Sequence, residues 1–143
     1  MKRFSRCVCA IMAVVLVLVV PVHAEETSSR ASSFFMSYDS SLYKAAYNKI
    51  EVWFDVVAVE GMDELGVSSI KVQRSADGST WETMRVYRPG VYTQMICENT
   101  HFHAGYVSYT GTPGYYYRAY VIFYAKNSTG IGERAQYSET MLL

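Results

Sequence analysis

Residues 114–127 read GYYYRAYVIFYAKN. Tyr115, Tyr117, Ala119, Val121, Phe123 and Ala125 are all apolar or aromatic, while Tyr116, Arg118, Tyr120, Ile122 and Tyr124 between them are mixed. A period of two with one wholly apolar face predicts a strand laid on a core. Turn residues bound it on both sides (Gly111-Thr112-Pro113-Gly114 and Ser128-Thr129-Gly130), and on sequence it is the strand around which the others are arranged. Residues 50–60 repeat the pattern. Ile50, Val52, Phe54, Val56 and Ala58 form an apolar face, and Glu51, Trp53, Asp55, Val57 and Val59 the opposite one. Gly61-Met62-Asp63-Glu64-Leu65-Gly66 is predicted to break this strand, and residues 68–74 to form a third with Ile70 and Val72 on one face. Ala76-Asp77-Gly78-Ser79 is a hairpin signal, because Asp-Gly suits positions of positive φ, and residues 81–87 return as a fourth strand.

The remaining segments are less regular. Phe34-Phe35-Met36-Ser37-Tyr38 predicts a first strand, and Leu42-Tyr43-Lys44-Ala45-Ala46-Tyr47 fits both a helical turn and a continued strand. Pro89-Gly90 marks a turn, residues 91–96 an edge strand, Glu98-Asn99-Thr100 another turn, residues 104–109 a strand with Val107 and Tyr109 on one face, and residues 133–142 a last strand. Short strands separated by Gly, Pro and Asn turns, with no long amphipathic helix, predict one antiparallel β-sandwich over residues 34–143.

The first residues belong to a different class. Met1-Lys2-Arg3-Phe4-Ser5-Arg6 is basic, residues 7–20 are an unbroken apolar run, and Val22-His23-Ala24 precedes Glu25-Glu26. This is the pattern of a secretory signal peptide over residues 1–24, cleaved after Ala24, with an apolar run shorter than the roughly 18–20 residues of a spanning helix; an uncleaved N-terminal anchor is the alternative. Residues 25–33, small and polar, read as a flexible linker. The signal carries Lys2, Arg3 and Arg6 and no acid, so 13 basic residues fall to 10 against 13 acidic ones, a net charge of −3. A mildly acidic chain without a basic block does not attract nucleic acid or anionic lipid, and with the apolar run removed no membrane span is expected in the mature chain. Cys7 and Cys9 leave with the signal, so Cys97 has no partner for an intramolecular disulfide.

Pro113-Gly114-x-x-Tyr117, with Ala125-Lys126-Asn127 and Gly130-Ile131-Gly132 after it, resembles the penultimate strand of a fibronectin type III or immunoglobulin-like sandwich. The resemblance implies that Tyr117 is a tyrosine corner whose hydroxyl bonds to backbone upstream. Phe54 occupies the usual tryptophan position, and Trp53 points the other way. The signal peptide, Val56-x-Ala58, Met62-x-x-Leu65-Gly66, Tyr109-x-Gly111-x-x-Gly114 and the tyrosine-rich strand are also similar, in order, to small secreted proteins of Gram-positive bacteria with no assigned function. That resemblance implies the fold and export, and no activity.

Candidate chemistry is sparse. There is no G-x-S-x-G, H-E-x-x-H or P-loop. Glu51 and Asp55 flank Trp53, but four residues along a strand set their Cα atoms about 13 Å apart, too far for a glycosidase pair without a cleft. Cys97, Glu98, His101 and His103 are ligand types within one short segment, which lacks a second element to close a metal site. Ser75-Ala76-Asp77-Gly78-Ser79-Thr80-Trp81 resembles the turn of an Asp-box, a structural motif. No catalytic residue, metal ligand or cofactor is assigned. The expected function is a secreted binding or adhesion module for a protein or glycan of the cell exterior. A self-assembling structural or effector protein is the alternative, and a glycan-active enzyme ranks third. The pleat of residues 114–127 turns Tyr116, Arg118, Tyr120 and Tyr124 to solvent as the expected binding face, beside Lys71, Gln73 and Tyr137.

Overall fold

The computed structural model describes residues 34–143. The expected signal peptide (1–24) and linker (25–33) lie outside the described residues. The strands are β1 (Phe35–Ala46), β2 (Lys49–Ser75), β3 (Glu82–Tyr87), β4 (Ile96–Thr110), β5 (Tyr116–Asn127), β6 (Gly130–Tyr137) and β7 (Met141–Leu142). A single 3-10 turn, Thr93–Met95, precedes β4. All pairings are antiparallel and join the strands into one seven-stranded sheet.

The hub is β2, not the 114–127 strand. Its first stretch, Lys49 to Val57, carries β1 on one edge and β4 on the other. Its second stretch, Glu64 to Ser75, carries β5 on the first of those edges, and Ile70 to Arg74 carry β3 on the second. The break expected at residues 61–66 is absent. The β4 ladder skips Ala58 to Gly61 and resumes at once, with Met62, Glu64, Leu65 and Gly66 paired to Thr100, Glu98, Cys97 and Ile96, so the strand runs on past the bend. What happens is a phase slip. Buried apolar positions run Ile50, Val52, Phe54, Val56, Ala58, then Met62, Leu65, Val67, Ile70 and Val72. The irregular steps coincide with register shifts between Val57 and Met62 and between Val67 and Ser69, which are bulges. Gly66, at φ +155°, passes under the next segment so closely that a Cβ there would run into the Met95 carbonyl oxygen and lie 2.9 Å from Ile96 Cα.

Three further expectations are corrected. The edge strand expected at residues 91–96 does not form, and only Ile96 is strand, as the first residue of β4: the Val91 and Tyr92 amides donate to the Arg88 carbonyl, and the 3-10 turn follows. Glu98-Asn99-Thr100 is no turn but part of β4, where Asn99 takes φ 52°, a conformation its short polar side chain tolerates, without ending the pairing. The last strand is two, β6 and β7, both on the same edge of β5. Between them the Ser138 hydroxyl accepts the Ala119 amide at 2.8 Å, and the Ser138 amide donates to the Ala119 carbonyl at 2.9 Å. The alternative left open at residues 42–47 resolves as strand up to Ala46, because β1 pairs along β2 to its end.

The apolar faces of both stretches of β2 share one core with Tyr117, Ala119, Val121, Phe123 and Ala125 of β5. Tyr38 of β1 packs on Phe123 at 5.0 Å between centroids. Gly111 lies where a Cβ would meet Leu143, Tyr117 and Ile50, so elements far apart in sequence close on one another there. Each fully buried Leu, Ile, Val or Phe contributes about 1.5–3 kcal/mol. Tyr117 is fully buried, and its hydroxyl accepts the Thr112 amide at 2.7 Å and reaches the Thr112 carbonyl at 3.4 Å. Among the described residues no helix is long and apolar enough to cross a membrane.

Candidate functional site

Two outward faces remain after the core is built. The first belongs to β3, the second stretch of β2, β5 and β6. The pleat of β5 places Tyr116, Arg118, Tyr120 and Tyr124 here, each half-buried, alternating with the buried Tyr117, Ala119, Val121, Phe123 and Ala125. Their neighbours are those expected: Gln73 opposite Arg118, and Lys71 and Tyr137 opposite Tyr120. These side chains mostly engage one another. The Arg118 guanidinium lies between two rings, 4.2 Å from the Trp81 centroid and 4.3 Å from that of Tyr137. Its Nε donates to Gln73 Oε1 at 2.8 Å. Tyr137 packs on Tyr120 at 4.7 Å, and Lys71 Nζ lies 5.6 Å over the Tyr120 ring. Tyr124 donates to Glu64 Oε2 at 3.1 Å while Lys126 holds Glu64 Oε1 at 2.8 Å. Lys126 and Tyr124 together hold the Glu64 carboxyl below its usual range. Arg118 and Lys71 thus make cation–π contacts with Trp81, Tyr137 and Tyr120, so the Arg118 charge is already engaged within the face, while Tyr137 keeps 50% exposure.

The second face belongs to β1, the first stretch of β2, and β4. The register sets out its rows. Tyr43, Glu51 and Ser108 lie across the three strands, then Ser41, Trp53 and Tyr106, then Asp39, Asp55 and Ala104, then Ser37, Val57 and Phe102. Trp53 stacks on Tyr106 at 4.7 Å with planes 23° apart, and meets the Tyr43 ring edge-on at 6.3 Å and 86°. The Trp53 indole N–H donates to Glu51 Oε2 at 3.1 Å. These aromatics keep large exposure: Tyr43 55%, Trp53 41%, Phe102 51% and Tyr106 44%. A depression of about 610 Å³ is lined by Asp39, Ser41, Tyr43, Glu51, Trp53 and Asp55, with Phe54 and Ala104 at its base. Burial, and then the facing carboxylate of Asp39, push the Asp55 carboxyl above its ordinary value.

Sequence reasoning saw Glu51, Trp53 and Asp55 share a face and stopped there. It missed Tyr43, Asp39 and Tyr106, because only the cross-strand register brings them in. Asp39 and Tyr106 are distant in sequence from Trp53, and no local pattern marks them.

The Cys97, Glu98, His101 and His103 segment is not gathered. Among the described residues no three His, Cys, Asp or Glu side chains are placed to hold a metal ion. His103 Nε2 lies 2.8 Å from the Gln94 carbonyl, and Cys97 is a half-buried free thiol whose sulfur is 3.8 Å from the Glu98 carbonyl. The 75–81 segment is the expected structural hairpin, with Gly78 at φ +74°. Comparison with family models, curated proteins and solved structures finds no match for this chain.

Proposed function

We propose that this chain is a secreted binding module of the cell exterior, a fibronectin type III-like sandwich exported by residues 1–24. Two features support the sandwich. The strands divide into β1, β2 first stretch and β4 on one side and β3, β2 second stretch, β5 and β6 on the other. The Tyr117 hydroxyl bonds back to Thr112 in the manner of a tyrosine corner. The departure is that two strands usually separate run on as one, β2.

The observation that carries binding is the aromatic row Tyr43, Trp53 and Tyr106 on an open sheet face. Aromatic side chains offer large contact area at low entropic cost, and such rings left on a surface suit recognition. The Tyr116, Arg118, Tyr120 and Tyr124 face fits the role less well, since the Arg118 charge is spent on Trp81, Tyr137 and Gln73 and the four residues are half-buried. Two double variants test the assignment, Trp53→Ser with Tyr106→Ser and Tyr120→Ser with Tyr124→Ser. Each is first checked for an unchanged fold, then compared with wild type on a glycan array and on immobilised extracellular-matrix proteins. Binding is expected to fail in the first variant and survive in the second. The reverse result would move the site to β5.

The second reading, self-assembly, is favoured by β1. Its twelve residues pair with β2 alone among the described strands, which leaves one edge open for another chain. Sedimentation that shows a concentration-dependent oligomer would select it.

A further inference from the structure

The chemistry of the β1–β2–β4 face also points to what it takes. Asp39 and Asp55 stand directly opposite each other in the β1–β2 register. Like charges so placed oppose pairing. Among the described residues Asp39 is met only by neutral donors, Gln136 Nε2 at 3.2 Å and Ser41 Oγ at 3.5 Å. The Asp55 carboxylate has no hydrogen-bond or ion-pair partner among the described residues. The lysine of this face, Lys49, sits at its far end, 3.6 Å from Glu51. Ala104, the β4 partner of Asp55, is too short to fill the space in front of it, which leaves the 610 Å³ depression. One wall is the right-angled corner of the Tyr43 and Trp53 rings.

Each alternative occupant leaves something unmatched. An apolar ligand would strip water from two opposed carboxylates and pair neither. An acidic one would be repelled. A neutral sugar could donate hydroxyls to Asp39 and Asp55 but would leave their mutual repulsion in place. A basic side chain between them is attracted to both, offsets their mutual repulsion, gains charge-assisted hydrogen bonds, and rests its stem against the aromatic corner.

We infer that this face docks a partner protein through a basic side chain, lysine or arginine, seated between Asp39 and Asp55 against Trp53 and Tyr43. The inference rests on the proposed binding face and adds the ligand class. Charge complementarity commits it to a basic partner segment rather than a glycan or a second copy of this chain.

The experiment titrates the secreted chain with heptalysine and heptaarginine peptides, with heptaglutamate and a neutral hexasaccharide as controls. Calorimetry gives the affinity and the two indole N–H resonances, Trp53 and Trp81, report the location. The basic peptides are expected to bind and to move the Trp53 signal while Trp81 stays in place, and heptaglutamate to do neither. Asp39→Asn with Asp55→Asn, near-isosteric at exposed positions, should weaken basic-peptide binding at least tenfold with unfolding unchanged or improved. Asp55→Ser serves as a second variant should the double change disturb the fold. Equal affinity of variant and wild type overturns the inference, as does the absence of any shift at Trp53. If the hexasaccharide moves Trp53 and the basic peptides do not, the face stands and the ligand class falls. If every ligand that binds moves Trp81 alone, both fall. A dimer that buries Trp53 without peptide replaces the partner by a second copy.

Discussion

Asp77 shows how much a single side chain can organise. Its carboxylate accepts the Thr80 amide at 2.8 Å, the Ser79 amide at 2.9 Å and the Ser75 hydroxyl at 2.8 Å, which closes the β2–β3 loop. Those donors, the Thr80 and Ser79 amides first, hold its carboxyl far below the ordinary value of 3.8. The stabilisation is therefore fully present above that unfolded value and lost only as pH falls through the lower folded one. Asp77→Ala is expected to lower the urea midpoint by a constant amount from pH 7 to 5, with the difference shrinking only in strong acid. Asp55 has the opposite sign. Its folded pKa is raised, so its ionised form is penalised at neutral pH, and the penalty disappears as pH falls through the raised value. Asp55→Asn should stabilise the protein at pH 7 by about 0.2–1 kcal/mol, nearer the lower figure because the site is open to water, and by less toward pH 4. Tyr117→Phe removes the hydroxyl that accepts the Thr112 amide in a part-buried bond, and a loss of about 0.5–1.5 kcal/mol in urea unfolding is expected. The Tyr117 role was legible, since Pro113-Gly114 fixes the turn before it. The Asp39–Asp55 opposition was not, because it depends on a pairing that no local residue encodes.

At the scale of elements, alternation read the faces correctly wherever a strand held one register. Ile50, Val52, Phe54, Val56 and Ala58 are all buried and Trp53 faces out, as period two requires. The reading failed between residues 58 and 70 for a definite reason. Gly61 and Gly66 look like punctuation, and the phase of burial slips there, yet hydrogen bonds to β4 continue through Met62, Glu64, Leu65 and Gly66. Whether a glycine ends a strand depends on what lies beside it, and the neighbours come from later in the chain. The two glycines differ accordingly. Gly66→Ala would push into the Met95 backbone and is expected to cost at least about 2 kcal/mol, while Gly61, with nothing within 4 Å of a Cβ, should tolerate alanine within about 0.5 kcal/mol. Chemical denaturation of the two variants checks this. Equal losses would show that the bend is held by loop flexibility rather than by the close passage beneath Met95.

At the scale of the molecule, the long β2 carries two sheet faces that differ in kind. Beside β5, the Arg118 guanidinium is clamped by Trp81 and Tyr137 and the tyrosines complete a ladder that holds the sheet together. Beside β1 and β4, aromatic rings stand exposed around opposed carboxylates. The protein's two tryptophans mark the two faces, Trp53 on one and Trp81 on the other. That allows one measurement to test the proposed binding face. The two indole N–H resonances are assigned through Trp53→Phe and Trp81→Phe, then followed as the chain is titrated with a panel of oligosaccharides and basic and acidic peptides. Every ligand that binds is expected to shift Trp53 and leave Trp81 unmoved. A ligand that shifts Trp81 and leaves Trp53 in place would contradict the assignment of function to the β1–β2–β4 face.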